Sequence, residues 1–161
     1  MASGTPRTSR FVTRLVKSEP DSWSWDQQVK AGAKGAEWTG VRNHTAKQNL
    51  QKMKKGDRAF FYHSSCPEPG IAGIAKVASG AYPDASQFDR KSDYYDAKSK
   101  KADPRWVNVD VRALKKTRLV SLAELRKHKT LAKMVLLRPG NRLSITPVSA
   151  AEWKYITGRL V

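Results

Sequence analysis

Four times along this chain a Ser or Thr is followed three residues later by Glu or Gln: Ser24 with Gln27, Thr45 with Gln48, Ser121 with Glu124, and Ser149 with Glu152. At that spacing each side chain can satisfy the other's free backbone N–H, so each pair marks a helix start. All four helices are short. The first stops before Gly32. The second sets Ala46, Leu50 and Met53 on one face and ends at Gly56, which takes a left-handed terminal position. Val120 with Leu125, and Val148 with Trp153, stand where hydrophobic staples would close the third and fourth starts, and Gly158 follows the fourth. Helices this short, placed this irregularly, do not fit repeated βαβ crossovers.

Strand signals fill the intervals. Residues 11–16 alternate imperfectly. Residues 57–63 are aromatic-rich after a Gly-Asp turn. Residues 71–77 are small and apolar, with Gly73 marking a bulge or a close backbone approach. Residues 106–112 put Val107, Val109 and Val111 on one face, and residues 142–145 suit a short closing strand. The expected class is α+β: a mixed, mostly antiparallel sheet curled into a partial barrel, with short helices around it. Residues 84–105 read as a long loop with Tyr94 and Tyr95 in its middle, and a loop of that length is usually functional or disordered. The length suits one domain over residues 11–161, with residues 1–10 as a flexible basic arm.

The chain has 31 Lys and Arg against 14 Asp and Glu, a net charge of +17. A field of that sign attracts polyanions, and nucleic acid is the expected partner. Residues 112–133 read as a basic helical region that could serve non-specific RNA binding. The single cysteine, Cys66, fits a reducing cytosol, so a cytoplasmic location is expected. No apolar run approaches the ~20 residues of a membrane span, so no membrane partner is expected.

No catalytic set stands out. His44, His63 and His128 form no zinc pattern, and there is neither a nucleophile elbow nor a phosphate-binding loop. Glu19, His63 and Asp84 are the candidate acid–base groups if the chain were an enzyme; their types suit hydrogen bonding equally well. The expectation is a non-enzymatic monomer with no cofactor and no metal. Aromatic residues instead recur beside polar ones at element ends. Trp38, Phe61 and Tyr62 each read as core when taken singly. Together with Ser18, Asn43 and His63 beside them, they read as the wall of a base-binding pocket.

The stretches LVKSEP (15–20), WTGVRNHTAKQNL (38–50), MKKGDRAFFYHS (53–64), GIA (73–75), AYPD (81–84), DPRWVNVDV (103–111) and RLSI (142–145) resemble the EVE-domain family, the thymocyte-nuclear-protein-like group of the PUA-like superfamily, in its bacterial form. The resemblance spans residues 11–160. It implies a PUA-like barrel that holds a modified base, of modified-cytosine type, from DNA or RNA in an aromatic-lined pocket, without catalysis. Carried over by motif, the pocket takes Lys17, Ser18 and Glu19 as edge contacts and Trp38 and Tyr62 as stacking walls. Thr39, Val41 and Asn43 would line the base, with Asn43 bonding its polar edge. His63, Ser64, Leu143 and Ser144 complete the pocket, and Tyr82, Pro83 and Asp84 form a rim. Arg42, Lys47 and Arg142 would meet phosphate. The sequence departs from the family at Arg14, where an aromatic residue is usual; the change would open the core or pocket, or place a cation there.

Overall fold

The computed structural model describes residues 13–161. The arm at residues 1–10, and Phe11 and Val12 of the first expected strand, lie outside the described residues. The strands are β1 Thr13–Ser18, β2 Ala36–Glu37, β3 Arg58–His63, β4 Gly70–Val77, β5 Tyr82–Pro83, β6 Val107–Asn108, β7 Asp110–Ser121 and β8 Ile145–Val148. Six of them form one curled sheet in the order β2-β7-β4-β3-β1-β8, and β5 and β6 form a separate pair. β1 runs parallel to β3, and every other pairing in the larger sheet is antiparallel. The α+β half-barrel expected from the sequence is what forms.

The central strands are buried on both faces, because aromatic and branched residues follow one another without a polar alternate. Side chains alternate along a strand, so Val16 and Phe61 enter one core while Leu15, Phe60 and Tyr62 enter the other. Helices α1, Trp25–Lys30, and α2, His44–Gln51, cover the first face with Trp25, Ala46 and Leu50. Helices α3, Leu122–Leu125, and α4, Ala150–Arg159, cover the second with Leu125 and Ile156. Gly73 is where α1 lands. A Cβ there would meet the Trp25 ring at 2.5 Å, and the β4–β7 register shifts between Ile71 and Gly73. Both readings of that glycine hold.

The helix starts divide. Ser24 and Ser149 form complete capping boxes with Gln27 and Glu152. Ser121 accepts from the Glu124 N–H, but the Glu124 carboxylate pairs with Arg118 instead of returning to the cap. Thr45 caps nothing: Asn43 accepts from the Ala46 N–H and opens α2 two residues earlier than its threonine predicts. Gly56, at φ 99°, belongs to the turn before β3, five residues beyond the end of α2, and Gly158 lies inside α4. Residues 112–121 are strand, not helix: β7 carries Arg112, Lys115, Lys116 and Arg118 across the sheet. The closing strand begins at Ile145 and not at Arg142.

The loop at residues 84–105 is tied down from within. The fully buried Gln87 donates to the Asp84 and Trp106 carbonyls and accepts from Ser99 Oγ and the Trp106 N–H. Asp96 accepts from Trp106 Nε1 at 2.8 Å and pairs with Arg105. Buried polar groups need such partners, so each one fixes a stretch of backbone.

Candidate nucleic-acid cavity

The parallel pair β1–β3 opens at its carboxyl ends. There the Ser64 N–H reaches the Ser18 carbonyl at 2.9 Å, and the Lys17 N–H reaches the Ser144 carbonyl at 2.8 Å. Ser18 Oγ donates to the Trp23 carbonyl at 2.5 Å, turning the chain toward α1. The Trp38 N–H holds the Val109 carbonyl, which sets residues 38–41 along the opposite side. Between these segments lies a cavity of about 700 Å³, within the range of roughly 300–1,000 Å³ typical of ligand sites. Lys17, Ser18 and Glu19 line it from β1, and Trp38, Thr39 and Val41 from the loop after β2. Ser64 closes the β3 end, and Arg142 and Ser144 the approach to β8. Trp38 is 8% exposed and meets Phe61 edge-on at 5.5 Å, so its ring is at once core and wall.

The mouth is shaped by one buried carboxylate. Asp84, fully buried, accepts from the Gly40 N–H at 2.9 Å, from Arg42 Nη1 at 3.2 Å and from both the N–H and Oγ of Ser86. Burial by itself would raise its pKa. The bonds from Ser86, Gly40 and Arg42 together outweigh burial and hold it below the usual carboxylate value. Arg42 also donates twice to the Tyr94 carbonyl, at 3.0 and 2.8 Å, and its guanidinium lies 5.5 Å from the ring centres of Tyr94 and Trp106. Tyr94 is thereby held over Gly40. Gly40 sits at φ 85°, and a Cβ on it would strike the Tyr94 ring at 2.7 Å, so both its conformation and the close approach require glycine. Tyr94 itself is 46% exposed. Lys17 is half-buried at the cavity's inner end, and burial lowers its pKa.

The remaining residues read from the sequence lie elsewhere. Asn43 is an exposed helix cap with its carboxamide oxygen engaged. Tyr62 is buried in the second core, across the sheet from the cavity, where burial pushes its pKa up to about 12. His63 accepts from the Trp25 N–H through Nε2 beneath α1, and burial lowers its pKa against the opposing pull of Asp26. Tyr82 donates to Asp110 at 2.5 Å, Pro83 is exposed on β5, and Asp84 stands behind the wall, not on a rim. Leu143 is half-buried beside the cavity segment without lining it. Arg42 is spent on Asp84, Ser86 and Tyr94, and Lys47 lies over the Trp106 ring, Nζ 5.9 Å from its centre. Arg142 remains exposed at the mouth. Arg14 is at the opposite end of β1, buried with its Nε unpartnered, and places no cation in the cavity.

Sequence reasoning missed Ser22, Trp23, Glu37, Gly40, Ser65, Tyr94 and Asn141, all on the lining. Tyr94 carried a signal as one of two tyrosines in a charged loop, and Gly40 as part of the quoted stretch 38–50. Among the described residues no group of three or more His, Cys, Asp or Glu could hold a metal ion, and no helix is long and apolar enough to cross a membrane.

A family model described as EVE domain matches residues 15–159. Thymocyte nuclear protein 1 of Homo sapiens is 40% identical over 159 residues, covering 88% of this chain and 71% of its own length. The Gallus gallus protein is 38% identical, and the match spans 66% of its length. Among solved structures, a Pseudomonas putida protein superposes with a TM-score of 0.87 at 41% identity, covering 91% of this chain and 97% of its own. Human THYN1 protein, in complex with 5-methylcytosine containing DNA, superposes with a TM-score of 0.86 at 40% identity, covering 91% and 96%.

Proposed function

The chain belongs to the EVE-domain family, and from that premise we propose that it is a nucleic-acid-binding module that takes a modified cytosine out of its strand and holds it in the cavity at the ends of β1 and β3. The observation that carries this reading is the build of the cavity. It is large enough for a base, has an indole as one wall, and has a phenol ring at its mouth, held there by an arginine whose donors are all used inside the protein. The DNA held by the human relative is the chemical guide to the ligand.

Drawing a base out of a stack costs a few kcal/mol. Stacking on an aromatic ring returns roughly 1–3 kcal/mol per base, so a base between Trp38 and Tyr94 regains most of that. Hydrogen bonds must supply the rest and the selectivity. Thr39, Ser64 and Ser144 offer hydroxyls, Glu19 an acceptor and Lys17 a donor, around a wall whose Val41 is apolar enough to receive a methyl group. Phosphate contacts position a strand without reading it, and Arg142 is the exposed cation at the mouth. The module is read as a monomer. No step asks the protein for proton transfer or bond cleavage, and the module is read as a binder and not an enzyme.

Titration of fluorescent oligonucleotides with and without a central 5-methylcytosine tests this. Tighter binding of the modified strand, weakened about tenfold in Tyr94→Ala, is expected. Equal affinity for both strands leaves only generic attraction between a basic protein and a polyanion.

A further inference from the structure

On the face of the sheet opposite the cavity, the strand register assembles a feature the base-capture site does not use. Arg58 on β3 stands directly opposite Lys76 on β4, and Lys76 directly opposite Arg112 on β7. Cross-strand partners share a face, so three cations form one row across three adjacent strands, about 4.8 Å apart at each step. The face is the one that carries Phe60 and Tyr62, beyond the part covered by α3 and α4. Arg58 is exposed, and Lys76 and Arg112 are half-buried. None of the three forms an ion pair among the described residues. Asp57 is buried with its carboxylate on the Lys54 N–H, and Asp110 accepts from Tyr82.

Like charges placed directly opposite on a sheet destabilise it. Two such pairs in succession, without an acid among them, are a cost to folding that an anion across the row would reverse. The geometry points to a phosphate-backbone track: the row binds the flanking strand of the same nucleic acid whose base enters the cavity. The proposal rests on the base-capture reading for its partner. β3 links the two places, because Arg58 begins the strand whose other end opens on the cavity. Along β3 itself five residues separate the two ends by about 16 Å, and the row stands on the face across the sheet from the cavity, so the flanking strand reaches it around the sheet.

The test is the salt dependence of binding to a 14-base-pair duplex, with and without a central 5-methylcytosine. For the triple variant Arg58→Gln, Lys76→Gln, Arg112→Gln, the slope of log affinity against log salt should become shallower by about 2 to 3, close to 0.9 for each phosphate no longer neutralised. Preference for the modified duplex should persist. A control triple, Lys127→Gln, Lys129→Gln, Lys133→Gln, removes the same charge from exposed positions beyond the end of α3 and should change the slope by less than about 1. Thermal melting should show the first triple no less stable than the parent, since opposed cations are removed. Lys76→Gln alone, expected to lower the slope by about 0.9, serves if the triple folds poorly. An unchanged slope in the row variants, or an equal change in the control, overturns the track. If the parent shows no preference for the modified duplex while the row variants still lose slope, the cavity reading fails and the track stands.

Discussion

Arg42 and the row of Arg58, Lys76 and Arg112 are the same kind of charge put to opposite uses. Arg42 is saturated: it bonds Asp84, Ser86 and the Tyr94 carbonyl and lies between two aromatic rings. The row pairs with no acid among the described residues. An arginine whose donors are all used inside the protein has become scaffold, and its contribution is shape. Cations outside any ion pair contribute field, which reaches a polyanion from a distance and is weakened by salt. In a chain of net charge +17, the charge itself does not separate the two roles. The hydrogen bonds do.

The strongest way to break this contrast is to remove the scaffold's acid. Asp84→Ala leaves the Arg42 guanidinium and the Gly40 N–H without their buried partner, and should cost about 3 kcal/mol of stability, measured by denaturant titration, since breaking a buried pair is costly. Affinity for a modified oligonucleotide should fall as Tyr94 loses its anchor, while the salt slope stays unchanged. A shallower slope would place the Arg42 charge on phosphate after all. Tyr94→Ala, which leaves the anchor intact, should weaken binding of the modified strand about tenfold by loss of one stacking surface and leave the melting temperature nearly unchanged. Asn43→Ala should cost about 1 kcal/mol as a lost helix cap without altering discrimination between modified and unmodified strands; a loss of discrimination would put its carboxamide on the base.

The smallest expected effect is one of pH. The folded state favours neutral His63, whose Nε2 accepts from the Trp25 N–H. Its contribution is therefore complete above the ordinary imidazole pKa of about 6.5, and declines as pH falls through that value toward the lower folded one. Melting curves at about pH 7.5 and 5.5, on either side of that pKa, should converge in His63→Gln relative to the parent. An acid shift of equal size in both would assign the sensitivity elsewhere.

What is legible in the sequence is what is local. Ser24–Gln27 and Ser149–Glu152 act within one turn, so their spacing is enough. Asn43 and Thr45 are both good caps two residues apart, and it is Asn43 whose side chain reaches a free N–H, that of Ala46. β7 reads in part as helix because its Lys and Arg run hides the alternation; it is a strand because β4 pairs with it along nearly its whole length. The motif residues reach the cavity wherever the backbone itself forms the wall, as at Lys17–Glu19 and Trp38–Val41. Tyr62 does not, because Phe60, Phe61 and Tyr62 offer an aromatic side chain to both faces and nothing local says which face is which. Tyr94 and Trp23 arrive from loops, placed by hydrogen bonds to Arg42, distant in sequence, and to Gln28 on α1.

Of the described strands, β1 is made first and finished last. It takes β3 on one side about 45 residues later, but its other edge waits for β8, whose Val148 pairs with Thr13 across 135 positions. Until then a strand with Leu15 and Val16 on it has one free edge, the condition under which a chain recruits a neighbouring copy. The segment 141–144 that closes the cavity leads directly into β8. During synthesis, therefore, binding competence and protection from aggregation should arrive together, at the same late step, and any lesion that delays β8 should cost yield and activity in equal measure.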